Sequence, residues 1–194
     1  VQVVGALGLW LAGHPDRTKV LCITGTKGKS TTTAIAGHLL TRWGYRCFTG
    51  GNLGPAPFDP DCHADDVDYW VVEVSSYQAT DVFVAPPVTV LTSLHPDHLP
   101  WHQGDVEVYY RDKLTLCSRP GAAVTVANGD SPLLRAHRDL LARQVDWVHA
   151  PVPGDLDWTW VSELGLPGEH NRRNAVLASH ALQRMGIPEA NDRH

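Results

Sequence analysis

None of the four cysteines (Cys22, Cys47, Cys62 and Cys117) forms a C-x-x-C pair, and Cys22 lies inside an apolar run. Reduced thiols in a cytoplasmic protein are the simplest expectation. Basic excess is missing too. A net charge of −5 leaves no electropositive footprint for nucleic acid. No apolar run has the length of a membrane span. The opening stretch Val1–Ala12 is too short to cross and carries no charged leader. Internal repeats and low-complexity segments are absent. The chain does not begin with methionine, which predicts processing or excision from something longer. What remains is 194 residues, 43% apolar and 19% charged, enough for one globular domain with a real core.

The residues that are present are organised around Val20-Leu21-Cys22-Ile23-Thr24-Gly25-Thr26-Lys27-Gly28-Lys29-Ser30-Thr31. Strand formers run into two glycines, a lysine and two hydroxyls, and a helical pattern follows. A phosphate cradle needs that order. The strand delivers the chain to a tight turn, glycines let backbone N–H groups approach an anion, and the helix N-terminus adds partial positive charge. Lys29 would sit on the outer phosphates and Ser30 on Mg²⁺. The loop, Gly-x-x-Gly-Lys-Ser, is shorter than a Walker A loop. On the pattern alone, an ordinary glycine turn capped by Thr26 or Ser30 stays open.

Taken in order, the spacing predicts a short strand at Val3 and Val4, then a helical segment ended by Gly13-His14-Pro15-Asp16. Strand Lys19–Thr24 enters the loop, and a helix runs from Lys29 to Trp43 with Gly44 as its C-cap. Strands follow at Tyr45–Thr49, Asp68–Val74 and Val88–Ser93, with a proline-rich loop after Gly50-Gly51-Asn52-Leu53-Gly54. His95–His102 reads as a loop and Asp105–Ser118 as a helix. Ala122–Ala127 is a fifth strand, Ser131–Arg143 a helix, and Val145–His149 a sixth strand. Leu156–Val161 reads as a small extra strand, and a last helix runs from Gly168 to about Met185. Strands alternating with helices imply an α/β fold, a mainly parallel sheet covered on both faces. Ligands of such sheets sit at the carboxyl ends of strands. That gathers Lys29 and Ser30 after the first, Asn52 after the second, Glu73 at the third and His98 after the fourth.

Glu73 ends an almost wholly apolar strand, where a carboxylate needs a metal or a cationic partner. His95-Pro96-Asp97-His98-Leu99-Pro100-Trp101-His102 offers three histidines. A structural zinc site is disfavoured by the proline-broken loop and the lack of cysteine or glutamate at ligand spacing. Solvated loop histidines are the plain alternative. Lys113 falls at the margin of an apolar stripe made by Val106, Tyr109, Tyr110, Leu114 and Cys117. A desolvated lysine would be a neutral amine able to take up CO₂ as a carbamate and ligate metal. The plain alternative is a packed stem whose head reaches water.

These residues resemble the central ATPase domain of the Mur ligases, the ATP-dependent amide-bond ligases of the peptidoglycan stem peptide, over nearly the whole chain. Gly25-Thr26-Lys27-Gly28-Lys29-Ser30-Thr31 is similar to the family's phosphate loop, with Lys27 where asparagine is usual. Glu73-Val74-Ser75-Ser76-Tyr77-Gln78 looks like the segment of the D-glutamate-adding member. Asp97-His98-Leu99 matches the metal-site histidine, with Pro100 where many members carry aspartate, and Lys113 the carbamylated lysine. His170-Asn171-Arg172-Arg173-Asn174 matches the motif facing adenine, and Gly51-Asn52-Leu53-Gly54 the loop near the substrate.

The resemblance implies ATP as cosubstrate, two Mg²⁺ sites and CO₂ held as a carbamate on Lys113. The nucleotide would be bound by Gly25, Thr26, Lys27, Gly28, Lys29, Ser30, Thr31, Asn171 and Asn174. Lys29, His98 and Lys113 would be catalytic. Metal would be held by Ser30 and Glu73 at one site and by His98 and Lys113 at the other. Asn52, Ser75 and His98 would line the acceptor side. The implied reaction makes an acyl phosphate on UDP-N-acetylmuramoyl-L-alanine, which D-glutamate then attacks. Residues 1–18 would be linker and the end of a preceding domain, and 19–194 the ATP-binding domain. The uridine-diphosphate-binding and amino-acid-binding domains would be absent, leaving the chain incomplete for catalysis. Partners would be these small molecules, without nucleic acid or membrane. Competing readings are a folylpolyglutamate synthase-like or secondary-metabolism relative, a kinase or GTPase, and a non-catalytic nucleotide-binding fragment.

Overall fold

Val20-Leu21-Cys22-Ile23-Thr24 forms β1 (Val20–Thr24), and all five residues are buried. A strand without a solvent face must be covered on both sides, which is the signature of a central parallel strand. The computed structural model describes residues 4–62, 64–97, 100, 102, 104–151 and 159–191. Around β1 stand β2 (Cys47–Gly51), β3 (Tyr69–Glu73), β4 (Val88–Leu91), β5 (Val124–Asn128) and β6 (Gln144–Val148), in the order β2-β3-β1-β4-β5-β6. Every pairing among them is parallel.

Side chains alternate between two cores as the period of a strand requires. Leu21 and Ile23 of β1 and Val71 of β3 face one core with Leu40, Leu177 and Leu182. Those come from α2 (Lys29–Arg42) and α7 (Glu169–Arg184), which lie together on that face. Val20, Cys22, Trp70 and Val72 face the other core, with Leu7 and Leu11 from α1 (Ala6–Gly13) and Ala79 from α3 (Ser76–Asp81). A third cluster joins Leu91 and Ala127 to Tyr109, Tyr110 and Leu114 of α4 (Val106–Leu114) and Leu134 of α5 (Pro132–Ala136). The expected α/β sheet covered on both faces is observed.

Several boundaries moved. The helix expected over Ser131–Arg143 is only α5, followed by a 3₁₀ turn at Arg138–Leu140. Ser131 caps its start, but His137 is already off the helical path, so the chain turns toward β6 within a few residues. The extra strand expected at Leu156–Val161 is corrected: α6 (Thr159–Glu163) is helical, and 152–158 lie outside the described residues. Val4 is not in a strand, and Val1–Val3 lie outside the described residues. The helix expected at Asp105–Ser118 starts from Asp105, whose carboxylate accepts from the N–H groups of Glu107 and Val108, and tightens to 3₁₀ over Thr115–Ser118. No helix among the described residues is long and apolar enough to cross a membrane.

Candidate nucleotide and metal site

The loop between β1 and α2 is held by side chains of the neighbouring strand end. Thr92, just past β4, donates from Oγ1 to the carbonyl of Lys27 at 2.7 Å. Ser93 Oγ accepts from Lys27 N–H and donates to Lys27 O, both at 2.9 Å. Thr26 N–H donates to Ser93 O at 2.9 Å. Asn128, from the end of β5, donates to Thr92 O at 2.9 Å and so braces the clamp. Gly25 has φ +140, and a Cβ there would stand 2.2 Å from Thr92 Oγ1, so only glycine fits. Gly28 has φ +91 and begins α2 without a side-chain cap, leaving the first N–H groups of the helix to point out of the turn.

Five of the expected side chains meet at or beside this turn. Lys29 Nζ donates to Thr26 O at 3.3 Å and lies 3.9 Å from Glu73 Oε1. Glu73 is 2% exposed at the end of β3, and Asn52 Nδ2 donates to its Oε1 at 3.3 Å. The cationic partner that a buried carboxylate needs is therefore Lys29. Lys113 reaches in from α4, its Nζ donating to Gly25 O at 3.0 Å. It sits not at a stripe margin, as its spacing suggests, but buried at 3% exposure. Desolvation, with repulsion from Lys29, pulls its pKa down to about 8 against the pull of Asp97 and Glu73. Asn174 of α7 lies over Gly28, its Oδ1 where a Cβ on that glycine would come to 2.9 Å. Ser30 and Thr31 open α2, and Ser75 caps α3 in a reciprocal capping box with Gln78.

Other expectations stand differently. His98 lies outside the described residues, as do Leu99 and Trp101. Asn171 donates its amide to Pro167 O at 2.7 Å. His95 is exposed, but its backbone N–H donates to Thr26 Oγ1 at 3.0 Å. His102 corrects the solvated-loop reading. Its side chain is fully buried, Nδ1 is 2.7 Å from Asp112 Oδ2, and its ring meets Tyr109 edge-on. Sequence reading missed Thr92, Ser93 and Asn128. The available signal was a hydroxyl pair closing a buried strand, which sits beside the phosphate loop once that strand pairs with β1.

The donor set bears on which metal fits. Glu73 and Ser30 offer hard oxygens, and among the described residues no group of three or more His, Cys, Asp or Glu forms a cage. One carboxylate, one hydroxyl and phosphate oxygens are how Mg²⁺ is usually bound, so the residues fit that ion. A separate cavity of about 920 Å³ begins at Ser30 and Thr31 and runs along α2 to Trp43. None of Lys29, Glu73 and Lys113 lines it.

Residues 23–150 match the Mur ligase middle domain. A UDP-N-acetylmuramoyl-L-alanine–L-glutamate ligase of Xanthomonas axonopodis pv. citri (strain 306) is 37% identical over 96% of this chain and 43% of its own length. A ligase of the same name from Micromonospora sp. (strain ATCC 39149 / NRRL 15099 / SCC 1413) is 38% identical, over 96% of this chain and 42% of its own. Among solved structures, UDP-N-acetylmuramate:L-alanyl-gamma-D-glutamyl-meso-diaminopimelate ligase from Neisseria meningitides superposes with a TM-score of 0.63 at 20% identity. That match covers 95% of this chain and 68% of the other. The chain spans about 43% of the length of the first of these curated relatives. From the matched domain, which spans most of its length, the chain belongs to the Mur ligase family.

Proposed function

We propose that this chain is the ATP-binding, carboxylate-activating domain of a ligase that joins glutamate to UDP-N-acetylmuramoyl-L-alanine. The observation that carries the reading is the meeting of Lys29, Glu73 and Lys113 at one turn, from the start of α2, the end of β3 and α4. In this reading the loop from Gly25 to Thr31 cradles the phosphates, and Lys29 reaches the β- and γ-phosphates, neutralising the γ-phosphate as it passes to the acceptor carboxylate. Asn174 and Asn171 face the adenine. Asn52, Ser75 and His98 line the acceptor. Ser30 and Glu73 would hold one Mg²⁺, and His98 with a carbamate on Lys113 a second. Bound metal supplies charge neutralisation between two anions that must meet.

Lys113 is suited to its part because burial keeps an accessible fraction of its amine neutral at moderate pH, and the neutral amine is the form that captures CO₂. The acyl phosphate formed on the acceptor is then attacked by the amine of the amino acid, expelling phosphate. The resemblance of Glu73–Gln78 points to D-glutamate, whereas the relatives' names carry L-glutamate. Those names favour the L enantiomer here. Domains for the uridine diphosphate and for the amino acid, and a cytoplasmic setting, belong to the same proposal.

The test is titration calorimetry of ADP and Mg²⁺ into this chain, with ligation measured on the protein that carries it, using each glutamate enantiomer. Lys29→Ala is expected to weaken ADP binding by about 2 kcal/mol, the loss of one charge-assisted contact. Full ADP affinity in that variant would remove the phosphate role of the loop. Ligation of neither enantiomer by the wild type would remove the substrate assignment.

A further inference from the structure

His102 stands outside every role given so far, yet it is a buried polar ring beside the site. Its side chain is fully buried, with Nδ1 2.7 Å from Asp112 Oδ2 and Nε2 3.3 Å from Ser76 Oγ. A carboxylate only accepts, so Nδ1 carries the proton toward Asp112, and Nε2 pairs with the Ser76 hydroxyl. The ring stacks on Tyr77 at 5.9 Å and meets Tyr109 edge-on at 5.0 Å. These contacts surround Lys113 from two sides. Asp112 precedes it on α4, and Tyr109 lies one helical turn back with its ring 5.1 Å from Lys113 Nζ. The Tyr109 phenol in turn lies 3.0 Å from Thr26 Oγ1 in the phosphate loop.

We infer that His102 is a positioning residue that fixes the rotation of α4, so that the Lys113 amine is held against the carbonyl of Gly25. The imidazole ties α4 through Asp112 to the start of α3 through Ser76, and α3 follows the strand that ends in Glu73. Of the two arms, the one to Asp112 sets the lysine, because Asp112 and Lys113 are neighbours on one helix. The Ser76 arm anchors the ring. The value of this for catalysis rests on the proposed role of Lys113, but the placement itself does not.

The measurement is competitive acetylation of this chain by acetic anhydride in CO₂-depleted buffer, read by mass spectrometry at Lys113 with Lys19 as internal reference. His102→Phe keeps the ring and removes both hydrogen bonds. It is expected to speed labelling of Lys113 about tenfold, the scale of one lost buried hydrogen bond, with Lys29 unchanged. His102→Asn, whose amide occupies the place of Nδ1–H, is expected to restore most of the protection. Asp112→Ala, at a carboxylate 31% exposed, cuts the same arm from the helix side, is expected to repeat the Phe result, and serves if His102→Phe does not fold. Unchanged Lys113 labelling in Asp112→Ala, or no rescue by His102→Asn, overturns the inference. Normal ligation by Lys113→Ala in the protein that carries this chain would remove the catalytic role of the lysine and leave the labelling result standing.

Discussion

A single amine concentrates the physics of the site. Lys113 donates a hydrogen bond to Gly25 O from a place that is 3% exposed, and burial is the largest reason its pKa falls to about 8 from 10.5. The folded pKa is the lower one, so the unfolded chain binds the extra proton and stability rises with pH between about 8 and 10.5. Below pH 8 the cost of burying the charged form is present in full. Lys113→Met fills similar space without charge. It is expected to be more stable than wild type at pH 7, by roughly 3 kcal/mol at most before the lost hydrogen bond is counted. The advantage should shrink as pH rises from 8 to 10.5. Urea melts of both proteins at pH 7 and pH 10 measure it, and a gap that does not narrow would mean that Lys113 does not titrate as a buried amine.

At the scale of elements, the site is a turn clamped by the next strand. Thr92 is 2% exposed and its hydroxyl serves both Lys27 O and Thr24 O, while its backbone N–H bonds Thr24 O. Thr92→Val keeps the shape and removes the hydroxyl. The expected cost is about 1 kcal/mol, with faster amide exchange at Thr26 and Lys27. Exchange confined to wild-type rates would assign the clamp to Ser93 alone. This clamp also marks where sequence reading stops. The apolar run Val20–Thr24, the glycines and the helical period of α2 are local signals, and they placed the loop and β1 within a residue. That Thr92 would face Lys27 depends on β4 pairing with β1 and not with β3, which no local pattern states. Helix α3 went unnamed although Ser75-x-x-Gln78 is a capping box, because its six residues are too few to show a period. The burial of His102 went with it, since Ser76 and Tyr77 of α3 form one side of its pocket. Lys113 was legible as unusual but not as buried, because helical spacing gives the angle of a side chain and not what packs over it.

For the whole molecule, the parallel sheet puts the carboxyl ends of β1, β3, β4 and β5 on one edge, and the groups that touch the phosphate loop all come from there or from α4 and α7. Two of the three apolar clusters lie under helices on either face, while the third reaches the edge through Tyr109, whose phenol lies beside Thr26. Ligand effects at this edge are therefore separated from folding effects by comparing each variant with and without nucleotide. A nucleotide that binds only the folded chain stabilises it by mass action, about 2.7 kcal/mol at a hundred times its Kd. For a chain of this size that corresponds to a rise in Tm of roughly 5–10 °C. ADP with Mg²⁺ is expected to produce that rise in wild type. Lys29→Ala is expected to melt below the wild-type temperature without ligand, because it leaves the buried Glu73 carboxylate without its cationic partner, and to gain little with ligand. Equal ligand-induced shifts in both proteins would place the nucleotide elsewhere on the molecule. The cavity along α2, which begins at Ser30 and excludes Lys29, would then be the place to look.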